Sequence, residues 1–167
     1  MQAHPAWTGV DLAIAGLTVM AVGLILREAA IVGWGGALLV GLAIGRAVAL
    51  IDVAKIRAAG FEMTWRGEPR RLRVARGESV KLEAELRNRD TRAASFSGLR
   101  AVASPELDVT VEPSDGEVPG SGRLRVEIAV RAERVGRHAL HGLSLELEGP
   151  PGLFEVPLTF ANPYGIE

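Results

Sequence analysis

The chain contains no cysteine, which excludes disulfides, thiolate zinc sites, iron–sulfur clusters and cysteine nucleophiles together. It also has almost no net charge. Nineteen Lys and Arg face twenty Asp and Glu, for a formal charge of −1, so binding to nucleic acid through bulk positive charge is not expected. Lysine is nearly missing: Lys55 and Lys81 are the only two, a bias read here as genomic. Aromatic residues make up 5%, few for a stacking sugar cleft, and Trp65 is the only tryptophan after the first third.

Charge is also missing locally. Residues 1–58 carry seven charged side chains, Asp11, Arg27, Glu28, Arg46, Asp52, Lys55 and Arg57, and none falls in Leu12–Leu26 or in Ala29–Gly45. A helix crossing a bilayer needs about 20 mostly apolar residues. Both runs reach that length with their flanks, over 8–26 with Trp7 at the interface and over 29–51 with Arg46 snorkelling near the end. The apolar character continues all round each helix, unlike the one-sided stripe of a soluble surface helix. A basic n-region before the first run is lacking and a second run follows at once, which argues against a cleaved signal peptide. A transmembrane hairpin in residues 1–58 is the expectation, turning at Arg27-Glu28. No Lys or Arg precedes it, whereas Lys55, Arg57, Arg66, Arg70 and Arg71 follow, so the cationic excess places the rest of the chain in the cytoplasm. Gly41 and Gly45, Gly16 and Gly23, and Ala37 offer small surfaces for close helix approach. Asp11 and Arg46 fall on the same side of the membrane, where pairing or contact with interfacial water is open to them.

From Gly60 the periodicity changes to two. Val80, Leu82, Ala84 and Leu86 alternate with charged residues, and Leu107, Val109 and Val111, then Leu124, Val126, Ile128 and Val130, then Leu143, Leu145 and Leu147 alternate with mostly charged residues and Thr110, Ala129 and Ser144. Such alternation marks half-buried strands with one wet face. Weaker strands are expected at 61–65, 71–74, 96–102 and 156–160, and turn-forming clusters separate them, including 113–116, 119–122 and 149–152. About seven or eight short strands without intervening helices predict a mainly β fold, an immunoglobulin-like antiparallel β-sandwich over 59–167.

Catalytic, cofactor and metal-ligating residues are all assigned as none. His138 and His141, three apart on a strand, point to opposite faces and are expected as two surface histidines, not a metal pair. There is no phosphate-cradling glycine loop and no nucleophile elbow. Enzymatic activity is not expected.

One segment has a distinctive texture: Arg134, Gly136, Arg137, Leu140, Gly142, Leu143 and Leu145, followed by a turn and Gly152-Leu153-Phe154, which is expected to return Leu153 and Phe154 to the core. This pattern resembles the membrane proteins grouped as domain-of-unknown-function 58, in which a strand R-R-G-x-Y-x-L-G-x-L-x-L precedes D-P-F-G-L-F. Here His138 stands for the Tyr and Gly149-Pro150-Pro151 for the Asp-Pro-Phe. The strand Val80–Leu86 followed by Asn88, and the two apolar helices, also match. The resemblance implies an accessory role beside a MoxR-type AAA+ ATPase. Family members carry a following von Willebrand A-like domain. That domain is missing here, as in a fragment or a version without the effector half, and no D-x-S-x-S motif carries a metal site over. Two functions are therefore expected in order: a non-enzymatic protein-interaction module on a bacterial cytoplasmic membrane, with the lipid bilayer and a protein as partners; and, alternatively, an envelope-facing sandwich binding glycan or peptide through loops such as Pro113–Gly122.

Overall fold

The computed structural model describes residues 3–67, 71–149 and 152–167, so Pro150 and Pro151 of the expected turn at 149–152 lie outside the described residues. The chain forms two compact units, Met1–Ala54 with Glu148–Val156, and Lys55–Leu147 with Pro157–Glu167. Sequence had drawn a single boundary at residue 58. The difference is the return of Glu148–Val156 to the N-terminal unit.

Helix α1 spans Trp7–Leu26 and α2 spans Ala29–Gly60. Their mean hydropathies over the most apolar stretch are 2.2 and 2.1, and only 17% of each stretch is buried. Both have the length and composition to cross a membrane. The turn between them is a C-terminal cap of Schellman type. Glu28 N–H bonds to Gly23 O at 2.9 Å and Arg27 N–H to Leu24 O at 3.3 Å, with Arg27 at φ 59°. Glu28 O then accepts from Val32 N–H at 3.2 Å, opening α2 at once.

α2 does not stop at the expected residue 51. Asp52, Lys55 and Arg57 end the apolar span but not the helix, because Ala, Lys, Ile and Arg all favour helix. Beyond the span its pattern becomes one-sided, with Ala49, Val53 and Ile56 buried at helical spacing. Gly60, at φ 110°, releases the chain into strand.

Two sheets make the second unit. One has the order β2 (Phe61–Arg66), β4 (Ser79–Asn88), β8 (Arg123–Ala132), β6 (Leu107–Glu112), all antiparallel. The other runs β10 (Phe154–Ile166), β9 (His138–Gly149), β5 (Ala94–Ala103), β7 (Gly116–Val118). With the short β7 left unlettered, these orders are A-B-E-D and G-F-C, the arrangement of an immunoglobulin-like sandwich. The alternating apolar faces meet inside: Leu82, Leu86, Val126, Ile128 and Val130 on the first sheet, Phe96, Leu140, Leu143, Leu145 and Leu147 on the second, all buried.

Each side of the sandwich is closed by a strand that changes sheets. After β2, the short β3 (Arg71-Leu72) joins the other sheet, parallel to β10 at Gly165 and Ile166. After β6, a turn at 113–115 delivers β7 to β5. Trp65 Nε1 donates to Asn162 O at 2.7 Å, and Asn162 Nδ2 to Met63 O at 3.3 Å, tying β2 to β10 across the gap. In β9 a bulge shifts the register between Val102 and Ala103 of β5. There Gly142, at φ 146°, lies so close to Phe160 O that a Cβ has no room.

Candidate functional site

The helical unit has its own internal logic. Near the turn, glycines let the helices touch. A Cβ on Gly23 would lie 2.6 Å from Val32 N, one on Gly35 2.7 Å from Gly16 O, and one on Gly16 3.0 Å from the Leu39 side chain. Such close backbone approach is the packing that small residues allow between helices. Gly16 and Gly23 thus do what their spacing promised. The Gly41–Gly45 pair does not: Gly41 faces open space, and a Cβ on Gly45 would lie 3.5 Å from Leu153 and 3.7 Å from Phe154, not from α1.

At the other end the helices receive the Gly-Leu-Phe segment. Leu153 O accepts from Ala6 N–H at 3.0 Å and crowds Gly9, Gly152 O accepts from Thr8 Oγ1 at 3.1 Å, and Gly149 is pressed against Ala49. A two-residue strand, β1 (His4-Pro5), pairs with Phe154 and Glu155 of β10. Leu153 and Phe154 were expected on the sandwich core; they are instead a plug in the mouth of the hairpin. Glycines at 9 and 149, where a Cβ has no room, make the fit possible.

Beside this plug lies a cavity of about 560 Å3. Gly9, Ala13 and Leu17 of α1, Leu39 and Arg46 of α2, and Phe154 contribute to its wall, and Arg46 is the only ionisable lining residue among the described residues. Among the described residues no ion pair joins Arg46 to Asp11.

The sandwich presents a different chemistry. The outer face of the β2-β4-β8-β6 sheet is a lattice of charge. Glu85, only 8% exposed, sits between Arg66 at 3.2 Å and Arg123 at 3.1 Å, and Lys81 pairs with Glu127 at 3.5 Å. A shallow depression of about 230 Å3 lies over Lys81, Thr110, Glu112 and Glu127. The exposed Lys81–Glu127 pair gives surface shape and charge pattern more than stability.

One end of the sandwich is pinned by Asn88, 1% exposed. Its Nδ2 donates to Arg92 O at 2.8 Å and Val118 O at 3.4 Å, and its Oδ1 accepts from Asp90 N–H at 3.0 Å. Ser121 N–H adds a bond to Asp90 O at 2.6 Å. The Arg92 backbone N–H and then its side chain hold the Asp90 carboxyl below the usual range. Within the Pro113–Gly122 stretch, Asp115 is lowered by the Gly98 backbone N–H at 2.8 Å and the Ser114 hydroxyl at 2.8 Å. That stretch is therefore tied to β5 by directed bonds.

The histidines differ from expectation. His141 is exposed, but the His138 side chain is only 10% exposed; its Nε2 donates to Arg134 O at 2.9 Å and Nδ1 faces Glu106 at 3.7 Å. The bulge at Gly142 changes the strand's phase, which turns His138 inward. Among the described residues no cluster of three His, Asp or Glu is placed to hold a metal ion.

No family model matches the chain, and no curated protein matches it in sequence. Solved structures do resemble it. The PapD-like domain 7 of human CEP192 is 16% identical, with 65% of this chain and 86% of that one covered at a TM-score of 0.45. WR4, an MSP family member of C. elegans, is 11% identical, covering 64% and 96% at 0.39. A FixG-related protein from Vibrio parahaemolyticus is 13% identical, covering 62% and 94% at 0.36. Likeness at this level concerns the fold alone, and the immunoglobulin-like assignment stands on the strand order itself.

Proposed function

We propose that the protein is a membrane-anchored, non-enzymatic interaction module: α1 and α2 cross a bacterial cytoplasmic membrane and the sandwich docks a protein partner in the cytoplasm. The observation that supports anchoring most directly is on α2. From Glu28 to Arg46 it is free of charge over about 27 Å, close to the roughly 30 Å of bilayer hydrocarbon. Large apolar side chains point outward from both helices, Trp7 87%, Ile25 80% and Trp34 73% exposed. In water such a surface would associate; in lipid it is already solvated. Trp7, at the start of α1, fits an interfacial belt.

The interaction role is supported by the charge lattice of the four-stranded sheet, whose pattern of paired Arg and Glu suits an ordered, complementary protein surface. The resemblance to domain-of-unknown-function 58 proteins makes a MoxR-type AAA+ ATPase the partner to test first.

Sidedness tests the reading, and the lack of native cysteine makes it direct. Ser121 is exposed, so Ser121→Cys is labelled by an impermeant maleimide only after lysis when the sandwich is cytoplasmic. Labelling of intact cells, with any outer membrane permeabilised, reverses the topology and makes glycan or peptide binding in the envelope the reading to pursue.

A further inference from the structure

We propose that the cavity in the mouth of the helix hairpin holds one anionic phospholipid, with an acyl chain along the apolar wall and the phosphate on Arg46. The inference rests on the membrane-spanning reading of α1 and α2 and adds the occupant.

Three observations carry it. The first is why the hollow exists: glycines close the helices together near the turn, whereas at the mouth the Leu153–Phe154 plug fills only part of the space. The second is its grading from apolar to charged. Ala13, Leu17 and Leu39 line one end and Arg46 the other, separated by about 10 Å of helix between residues 39 and 46. The antiparallel contacts Gly23–Val32, Gly35–Met20 and Gly16–Leu39, continued in register, put Arg46 level with Gly9, two residues into α1 from Trp7. That is interfacial depth, where a headgroup phosphate sits above its chains.

The third is charge. Arg46 is exposed and has no ion-pair partner among the described residues. A guanidinium at the edge of hydrocarbon is costly alone and takes phosphate in a two-pronged geometry. Among the described residues no carboxylate lines the cavity to attract the ammonium of a zwitterionic headgroup. An anionic headgroup therefore fits better than a choline one.

The test uses the full chain in mild non-ionic detergent, offered equal amounts of phosphatidylglycerol and phosphatidylcholine and examined by native mass spectrometry. One phosphatidylglycerol is expected to stay bound per chain, about fivefold in preference to phosphatidylcholine. Arg46→Gln is expected to erase the preference, Arg46→Lys to keep part of it, and Ala13→Phe to expel both lipids by filling the hollow. Equal retention by the wild type, a preference unchanged in Arg46→Gln, displacement of the lipid by soluble glycerophosphate, or a mass corresponding to two chains and no lipid would each overturn the proposal. Carbonate extraction of cell membranes separates the two readings. A chain released by carbonate defeats the membrane anchor itself, while a chain retained without lipid preference defeats only the occupant.

Discussion

Replacing Asn88 by Asp changes one buried NH2 into an oxygen and nothing in shape. In the native loop that NH2 donates to two carbonyls, of Arg92 and Val118. A carboxylate there would face both with no proton to give, whereas a neutral acid still donates to one. The fold therefore prefers the protonated form and raises the pKa of the new carboxyl above its unfolded value of about 3.9. The sign follows from linkage. Below about pH 4 both folded and unfolded forms are protonated, and Asn88→Asp loses about 1 kcal/mol, one hydrogen bond. Above that the loss grows by about 1.4 kcal/mol per pH unit until the folded pKa is reached. A shift of about 3 units, ordinary for a buried carboxyl, gives a further loss of about 4 kcal/mol at pH 7 to 8. Asn88→Ala should instead cost about 2 to 3 kcal/mol at every pH, having nothing to titrate. Thermal melts of the full chain in detergent from pH 4 to pH 8 read both. A loss for Asn88→Asp that is flat with pH, or smaller than that of Asn88→Ala at pH 8, would refute the claim that amide donation holds these loops together.

Gly142→Ala should destabilise the sandwich by about 2 to 4 kcal/mol, since the bulge has both a positive φ and no space beside Phe160 O; equilibrium urea unfolding measures it. Gly35→Leu should weaken the helix pair by about 1 to 3 kcal/mol through overpacking against Met20 and Gly16, seen as a lower aggregation temperature in detergent, while Gly36→Leu, with open space around it, should not. The Asp115 carboxylate is favoured in the folded turn, so its contribution is present above its unfolded pKa and fades as pH falls through the lower folded value. Hydrogen exchange at Gly98, compared between wild type and Asp115→Asn, should therefore differ at neutral pH and converge in acid.

The strands were legible because each buries one face, and period two survives in the sequence even where the partners are unknown. Val80 to Leu86 and Leu124 to Val130 pair with each other in the register that puts both apolar sets inside. The apolar helices were legible for the opposite reason, having no polar face at all. Less visible was whatever depends on a partner distant in the chain. The charges at Asp52, Lys55 and Arg57 mark the end of an apolar span, and only the spacing of Ala49, Val53 and Ile56 hints that the helix runs on to Gly60. His138 looked like a surface residue because the bulge that turns it inward is set by Phe160, on the neighbouring strand. The Gly152-Leu153-Phe154 segment announced itself by texture, but its destination is written in Gly9 and Gly149, where small residues are common enough to pass unnoticed. Asn88 was singled out at the end of a strand, and its buried amide shows why an asparagine serves there.

The plug in the hairpin mouth also has a history in time. Ala49 and Gly149 touch, yet a ribosome adding about 5 to 20 residues each second reaches the second roughly 5 to 20 seconds after the first. Throughout that interval the helices are made while the piece that fits between them is not. The newborn hairpin must wait in its surroundings with an open mouth, and whatever occupies that opening first has to yield when Leu153 and Phe154 arrive.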